Sequence, residues 1–403
     1  MKRVIKSINI LLFLDILTLL LVLCGCPAEK GVEDPPFSLG DVKVASYIRT
    51  WSIPTQWLEP GSAHWKAGMI KGEYLSELII AFATIKKTDG YSLEVPDTAY
   101  TFRNMWDETA ALKEKYPGLK VNISVGGANE SGFSEMAADT VKRASFIANV
   151  CDWLEKYNLD GVDIDWEYPV RPLSGGGQRP QDRQFYITLL QELREAMDEL
   201  GEKTGKRYAL STAVPASSWF VNPSEGVDIK AVSDIVDSFK LMAYDYNGSW
   251  SKNTGHNANL YPKLGGWSTD GAVKAYLNAQ VPPEKIMVGV GFYGQSWKGV
   301  AAGSNTSLPG LSQPSASFGG TLSWDEINVY CLKPNSGYTR YWDSTAKAPF
   351  LYNGDRWISY TDHEQIKAIT GYVKEKKLGG VFVWEYALDM GAELLKTLAE
   401  SSL

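Results

Sequence analysis

The most constraining feature of this sequence is an eightfold alternation between short, β-rich apolar runs and longer stretches with the apolar spacing of helices. Such alternation is typical of βα units that surround a parallel sheet. Eight units favour a closed (β/α)8 barrel, a TIM barrel, with an open doubly wound sheet as the alternative. The runs that we expect to form strands lie at residues 42–50, 78–85, 120–127, 161–167, 208–215, 239–246, 285–294 and 379–386.

A segment of about 85 residues separates the seventh run from the eighth. It is rich in Trp, Tyr and Thr, which favour short antiparallel strands, and a structureless loop of that length is rare in a compact domain. We therefore expect a small inserted α+β subdomain at residues 295–360. Residues 41–294 and 361–403 form the TIM-barrel catalytic domain in this interpretation, with a last helix from about residue 362 to 377.

The N-terminus has the pattern of a secretory signal. Three basic residues among the first six precede an apolar run at 8–23, which Asp15 interrupts. The run ends in LCGC, which resembles the bacterial lipobox and implies that Cys26 is lipidated and begins the mature protein. We expect a lipoprotein signal peptide at 1–25, a tether at 26–40 and a protein anchored to the membrane at the cell envelope; ordinary cleavage to a soluble secreted product is the alternative.

Charge, cysteine and histidine content exclude several classes of function. The net charge is −7 and no Lys/Arg cluster occurs, which argues against a nucleic-acid partner. Outside the signal region only Cys151 and Cys331 remain, and their pairing cannot be inferred from sequence. The histidines, His64, His256 and His363, show no metal-ligand spacing, so we expect neither a metal nor a cofactor.

The motif DGVDIDWEYP at residues 160–169 alternates three acids with three apolar residues. On a barrel strand, alternate side chains point to opposite faces, so Asp163, Asp165 and Glu167 face the interior, with Glu167 nearest the catalytic end. Burying such acids is costly, because like charges raise one another's pKa. A role as a general acid, which must stay protonated near neutral pH, would explain why the chain tolerates this cost. Calcium binding is the alternative, but the EF-hand glycine and glutamate positions are absent, and an extended strand cannot wrap an ion.

This motif resembles the DxxDxDxE signature of glycoside hydrolase family 18, the chitinases and their relatives. The resemblance extends over most of residues 42–400. NISVGG, which ends in Gly126 and Gly127, is similar to the SxGG segment of the family, and LMAYDYNGSW is similar to its MxYD segment. VGVGFYGQSW and GGVFVWEYALD resemble the seventh and eighth strands of its barrel.

The resemblance implies a retaining mechanism in which the N-acetyl carbonyl of the substrate is the nucleophile. Glu167 is implied to be the acid that protonates the glycosidic oxygen and then the base that activates water. Asp165 is implied to orient and stabilise the charged intermediate, and Asp163 to share a proton with Asp165.

The remaining implied site residues bind the sugar. Tyr244 and Asp245 would hydrogen-bond the acetamido group, Met242 would line the base of the site, and Trp384 would form the floor beneath the −1 sugar. The other residues that we expect to line the groove are Tyr47, Phe82, Gly126, Gly127, Trp250 and Tyr293.

Two positions depart from the family pattern. Ala128 stands where many chitinases carry Trp, and Gln295 stands where many carry Arg. Trp250 and Trp297 are the candidates for the missing aromatic platform, with core packing as the alternative for each.

The function implied is hydrolysis of chitin or chitooligosaccharides by a monomer. An endo-β-N-acetylglucosaminidase acting on glycoprotein glycans is one alternative. A catalytically weak chitin-binding lectin is the other, although Glu167, the acid that inactive members typically replace, is present.

Overall fold

The computed structural model describes residues 42–58, 62–95, 104–173, 179–262 and 266–403. The expected signal peptide, tether and lipidated Cys26 therefore lie outside the described residues. The eight runs expected to be strands all form strands, and these pair in parallel around a closed barrel because β1 contacts both β2 and β14. The barrel strands are β1 Lys43–Arg49, β2 Glu77–Lys86, β4 Lys120–Gly126, β5 Gly161–Asp165, β6 Ala209–Pro215, β7 Ser238–Met242, β8 Ile286–Gly291 and β14 Gly380–Trp384.

Helices follow most of the strands and cover the outside of the barrel, which confirms the TIM-barrel prediction. Several begin at a capping side chain: Asp139 accepts hydrogen bonds from the amides of residues 141 and 142, and Asp362 caps the helix His363–Glu375 in the same way. The sequence predicted that helix to be the last, but the helix Glu393–Ser402 follows β14. The helices are α1 Met105–Lys115, α2 Phe133–Ala138, α3 Thr140–Lys156, α4 Asp182–Thr204, α5 Ile229–Ser233, α6 Thr269–Asn278, α7 Trp324–Glu326, α8 His363–Glu375 and α9 Glu393–Ser402.

A second sheet lies between β8 and β14, where the sequence predicts an inserted subdomain. Its five antiparallel strands occur in the order β10-β9-β13-β12-β11, and α7 with the π-helical turn Ile327–Cys331 follows β10. The sheet begins at Tyr293, two residues before the expected boundary. Its strands are β9 Tyr293–Lys298, β10 Ser317–Ser323, β11 Thr339–Asp343, β12 Ala348–Tyr352 and β13 Trp357–Ser359, while the short β3 Ser92–Glu94 pairs with β2.

The inserted sheet has its own apolar core, and this corrects one expectation. Trp297 is only 1% exposed and lies 5.6 Å, between ring centroids, from Trp357. It therefore packs inside the insertion and offers no platform to a substrate. Val300, Phe350 and Tyr352 are the other buried residues of this cluster.

The structure shows the surroundings of two cysteines and two histidines. Cys151 and Cys331 are both free thiols. His256 is buried with its Nε2 3.1 Å from a carboxylate oxygen of Asp343, and Nδ1 of His363 lies 2.7 Å from the Thr397 hydroxyl. Within the described ranges, no three His, Cys, Asp or Glu side chains form a group that could hold a metal ion, and no helix has the length and apolar character of a membrane span.

Candidate active site

A groove of about 1060 Å³ opens at the carboxyl ends of the barrel strands. All of the site residues expected from the sequence line this groove except Asp163 and Tyr293, which lie immediately behind it. The residues that line it as expected are Tyr47, Phe82, Gly126, Gly127, Asp165, Glu167, Met242, Tyr244, Asp245, Trp250 and Trp384.

Strand β5 positions the acids at increasing height. Asp163 and Asp165 are 0% and 3% exposed. The strand ends at Asp165, two residues earlier than the sequence predicted, and Glu167 lies just beyond that end. The neighbouring strand holds β5 closely, because Gly127 N donates to the Asp165 carbonyl over 3.0 Å. A Cβ on Gly126, which has φ +128°, would lie 2.0 Å from that carbonyl oxygen, so only glycine fits there.

Asp163 is held by hydroxyl groups from three other strands. The Tyr47 and Ser124 hydroxyls each donate to its Oδ2 over 2.8 Å, and the Ser211 hydroxyl donates to its Oδ1 over 2.7 Å. These three hydrogen bonds fix the orientation of the Asp163 carboxyl group.

Asp165 and Glu167 have the opposite surroundings, because few donors compensate for their burial. Burial raises the pKa of Asp165 well above its usual range, and the nearby charges of Glu167 and Asp163 add to the effect. One oxygen of Asp165, Oδ1, has no hydrogen-bond partner among the described residues. Burial also raises the pKa of Glu167 to about 7, with the charge of Asp245 acting in the same direction and Tyr168 opposing it. Glu167 therefore holds a transferable proton near neutral pH.

Tyr244 and Asp245 follow β7 and form one wall of the site. The backbone of Asp245 has φ +57°, and its amide donates to Asn257 Oδ1 over 3.1 Å. The Gln295 amide donates to Asp245 Oδ1 over 3.0 Å, and the Thr321 hydroxyl in turn donates to Gln295 over 3.0 Å. Gln295 is buried, and this hydrogen bond orients Asp245. The residue that replaces the more usual Arg in this chain therefore supports Asp245.

Aromatic rings form the floor. Trp384, at the end of β14, lies 5.6 Å from the ring of Phe82 and 5.5 Å from that of Tyr47, between centroids. Tyr293 is 4% exposed and packs edge-on against Tyr244 at 6.2 Å, so it supports the site from behind and does not line it.

Five aromatic residues that the sequence did not single out as site residues also line the groove. Trp51 and Trp267 are 38% and 62% exposed, and the other three are Tyr168, Trp219 and Tyr246. Trp51 directly follows the first strand run, and this position at a carboxyl end was a signal for it. Tyr168 and Tyr246 also lie at the carboxyl ends of predicted strand runs, whereas Trp219 and Trp267 lie in loops whose paths the sequence pattern does not determine.

The comparisons with known proteins agree with this geometry. The model of Glycosyl hydrolases family 18 matches residues 43–389. Chitinase A1 of Niallia circulans is 39% identical over 329 residues, which cover 75% of this chain and 46% of that relative. This chain thus spans about half the length of that relative.

Two solved structures have the same fold. A family 18 N-acetylglucosaminidase from Paenibacillus barengoltzii matches with a TM-score of 0.77 and 32% identity, covering 89% of this chain and 99% of that one. A mutant class V chitinase from Nicotiana tobaccum in complex with NAG4 matches with a TM-score of 0.76 and 26% identity, covering 90% and 99%. The chain belongs to glycosyl hydrolase family 18.

Proposed function

We propose that this protein hydrolyses β-1,4-linked N-acetylglucosamine polymers, chitin or chitooligosaccharides, with retention of configuration. The observation that carries the proposal is the placement of Glu167, a carboxyl group with a pKa of about 7, at the head of a groove lined with aromatic rings. Asp165 is the last residue of the strand that precedes Glu167, and Tyr244 and Asp245 line the same groove.

In the proposed reaction, the acetamido oxygen of the substrate attacks the anomeric carbon while Glu167 gives its proton to the departing glycosidic oxygen. The glycosidic bond breaks, and a positively charged oxazolinium remains in the site. The Asp163–Asp165 pair, which carries one proton between its two carboxyl groups, stabilises that charge. Glu167 then takes a proton from water while the water oxygen attacks the anomeric carbon and opens the oxazolinium. The proton restores Glu167 to its acid form.

The other site residues position the sugar. Tyr244 and Asp245 hydrogen-bond the acetamido group and align its oxygen with the anomeric carbon, and Trp384 supports the distorted ring from below. The exposed faces of Trp51, Trp250 and Trp267 provide stacking surfaces for further sugar units, since aromatic rings bind the apolar faces of pyranoses. The departure at Ala128 removes one such platform, and the groove offers these other rings in its place.

The relatives support chitin as the substrate class, because those in Niallia circulans and Nicotiana tobaccum are named chitinases and one was solved with NAG4 bound. Product analysis by mass spectrometry tests this choice. Chitohexaose should be cleaved while a high-mannose glycopeptide is left intact. Cleavage of the glycopeptide alone would identify an endo-β-N-acetylglucosaminidase, and binding of chitohexaose without any product would identify a lectin.

The role of the acetamido group has a separate test. Fully deacetylated chitosan oligomers lack the proposed nucleophile, so they should not be turned over. NMR of the products from chitohexaose should show the β-anomer first. Equal turnover of acetylated and deacetylated oligomers would rule the mechanism out.

We further propose that a lipid on Cys26 anchors a monomeric enzyme at the cell envelope. The support is the LCGC sequence at the end of an apolar run and the Pro/Gly-containing tether that follows it. Such a tether would keep the groove free to reach polymeric or released oligomeric substrates near the cell surface.

A further inference from the structure

A buried lysine lies beneath the acids of the active site. Lys240, on β7, is 0% exposed. Its Nζ donates to the Ser211 hydroxyl over 2.8 Å and lies 3.1 Å from a carboxylate oxygen of Glu77 and 3.9 Å from Asp163 Oδ1. A buried ammonium without compensating anions is very costly, so these contacts are what allow Lys240 to be buried as a charged group.

The two carboxylates near Lys240 have different partners. Glu77, at the start of β2, accepts a hydrogen bond from the Asn122 amide over 2.7 Å in addition to its contact with the ammonium. Asp163 is one of the acids that alternate along the motif at residues 160–169. It shares the Ser211 hydroxyl with Lys240, because that hydroxyl donates to Asp163 and accepts from the ammonium. A lysine that served only as the counter-ion of Glu77 would not need this second connection.

Asp163 faces groups from several elements, and Lys240 is the one cation among them in the described part of the chain. Two unit charges about 4 Å apart interact strongly even at an effective dielectric constant of about 20. The ammonium therefore attracts negative charge on the Asp163 carboxyl group. The titratable and charged groups around Asp163 are Tyr47, Glu77, Asp165, Tyr186, Lys240 and Tyr244.

We propose that Lys240 is a positioning residue that places positive charge beside Asp163, so that the single proton of the Asp163–Asp165 pair resides on Asp165. The inference rests on the proposed function. Asp165 lines the groove whereas Asp163 lies behind it, so a proton on Asp165 is the one that faces the acetamido group. No proton leaves the pair in this step; Lys240 determines which of the two carboxyl groups holds it.

The proposal has a consequence for the pH dependence of activity. As the pH falls, the pair takes up a second proton, and the site then lacks the anion that stabilises the oxazolinium. The ammonium opposes uptake of that proton. Without it, the acidic limb of the kcat/KM profile should move to higher pH by about 1–3 units, the range expected for the loss of a close opposite charge. The alkaline limb, which reports Glu167, should move less.

Three variants separate this role from a structural one. Lys240→Met removes the ammonium, Lys240→Met combined with Glu77→Gln also removes the carboxylate left unpaired, and Glu77→Gln alone keeps the ammonium beside Asp163. Each is measured for kcat/KM on 4-methylumbelliferyl chitobioside across the pH range and for thermal unfolding. We expect the acidic limb to lie higher in Lys240→Met than in the wild type, and higher in the double variant than in Glu77→Gln. The melting temperature should recover in the double variant, and the acidic limb of Glu77→Gln should stay or move downward.

The opposite pattern would overturn the proposal. If the folded double variant has the same acidic limb as Glu77→Gln, Lys240 is only a counter-ion for Glu77. If neither Lys240 variant folds, Glu77→Gln decides, because an upward shift of its acidic limb contradicts the proposal and a downward or unchanged limb with full activity supports it. Failure of the proposed function would look different, since the wild-type protein would then release no product at any pH, and the basis of the inference would fall with it.

Discussion

At the scale of single residues, neighbouring carboxyl groups acquire different chemistry from their surroundings. Asp163 accepts three hydroxyl hydrogen bonds. Asp165, two residues along, has one oxygen without a partner among the described residues, and Glu167 is held at a pKa of about 7 mainly by burial. Carboxyl groups in different surroundings thus provide a fixed hydrogen-bond acceptor, an acid with a raised pKa and a proton donor, which is how a site performs acid and base chemistry at one pH.

Replacing Glu167 tests the assignment of the proton donor. Glu167→Gln keeps the size and hydrogen bonding of the side chain but removes the transferable proton, so we expect kcat to fall by about 10²–10⁴-fold or more. The dissociation constant for chitotetraose, measured by calorimetry, should change little. Asp165→Asn should also reduce kcat strongly. Wild-type kcat in Glu167→Gln would contradict the assignment.

The pH dependence of the wild-type protein follows from the same residue. Glu167 must be protonated to act as an acid, and burial raises its pKa to about 7. Activity should therefore be lost as the pH rises through about 7, and the alkaline limb of kcat/KM should have a midpoint there. A profile that stays flat to about pH 9 would show that another group donates the proton.

At the scale of elements, β5 gives each acid its depth and its face. Asp160 precedes the strand and lies at the opposite, amino-terminal end, where it accepts a hydrogen bond from Val121 N over 2.9 Å and pairs with Lys113 at 2.5 Å. Asp163 and Asp165 follow within the barrel, and Glu167 emerges at the groove. A single strand therefore runs from a stabilising contact at one end to the chemistry at the other.

Asp160 is consequently the internal control for the orientation of the strand. Asp160→Asn weakens an ion pair and a hydrogen bond to a charged acceptor, so we expect a loss of about 1–3 kcal/mol in the free energy of unfolding. Thermal and denaturant unfolding measure that loss. kcat of the folded fraction should stay at the wild-type value, and a folded Asp160→Asn protein without activity would reverse our assignment of the two ends.

A glycine on the adjacent strand sets the position of the acids. In Gly126→Ala, the new Cβ would meet the Asp165 carbonyl oxygen at 2.0 Å, so β4 and β5 must separate. We expect a loss of stability of about 1–3 kcal/mol together with a large fall in kcat. Gly118→Ala is the matched control, because a Cβ added there meets no atom within 4 Å beyond its chain neighbours. Equal effects of the two substitutions on kcat would show that the spacing of these strands is unimportant.

The elements were predictable from sequence because buried parallel strands leave near-continuous apolar runs, and the acids were predictable because they interrupt one such run at every second position. Contacts between distant segments leave no such periodic pattern. Gln295 orients Asp245 across 50 residues, Lys240 approaches Asp163 from another strand, and Trp297 is buried by the insertion's own sheet. The sequence predicted where chemistry occurs but not which residues support it.

At the scale of the whole molecule, the barrel supplies the chemistry and its loops supply the length of the groove. Exposed Trp51 follows β1, whereas Trp250 and Trp267 both lie in the connection between β7 and α6, so the stacking surfaces come from two parts of the chain. The inserted sheet contributes through Gln295 and Thr321, which link it to Asp245 by consecutive hydrogen bonds. The insertion thus reaches the site through hydrogen bonds as well as through its position.

The proposed anchor is the prediction that concerns the whole chain. When the full-length protein is expressed in a bacterial host, it should partition into the detergent phase, because a lipid on Cys26 supplies its affinity for the membrane. Cys26→Ser should remain unlipidated and move to the aqueous phase. An aqueous wild-type protein, with no change of size or location in Cys26→Ser, would contradict the anchor.

Closure of the barrel has a consequence for how the protein is made. β1 pairs with β14, and Lys43 lies opposite Gly380, so the two ends of the barrel are distant in sequence. Pairings of such high contact order form slowly, and this one cannot form until almost the entire chain has been synthesised. The burial that raises the pKa of Glu167 depends on the assembled barrel. The raised pKa of Glu167 therefore arises only when the barrel has closed. The time at which activity appears during refolding should report the pairing of β1 with β14.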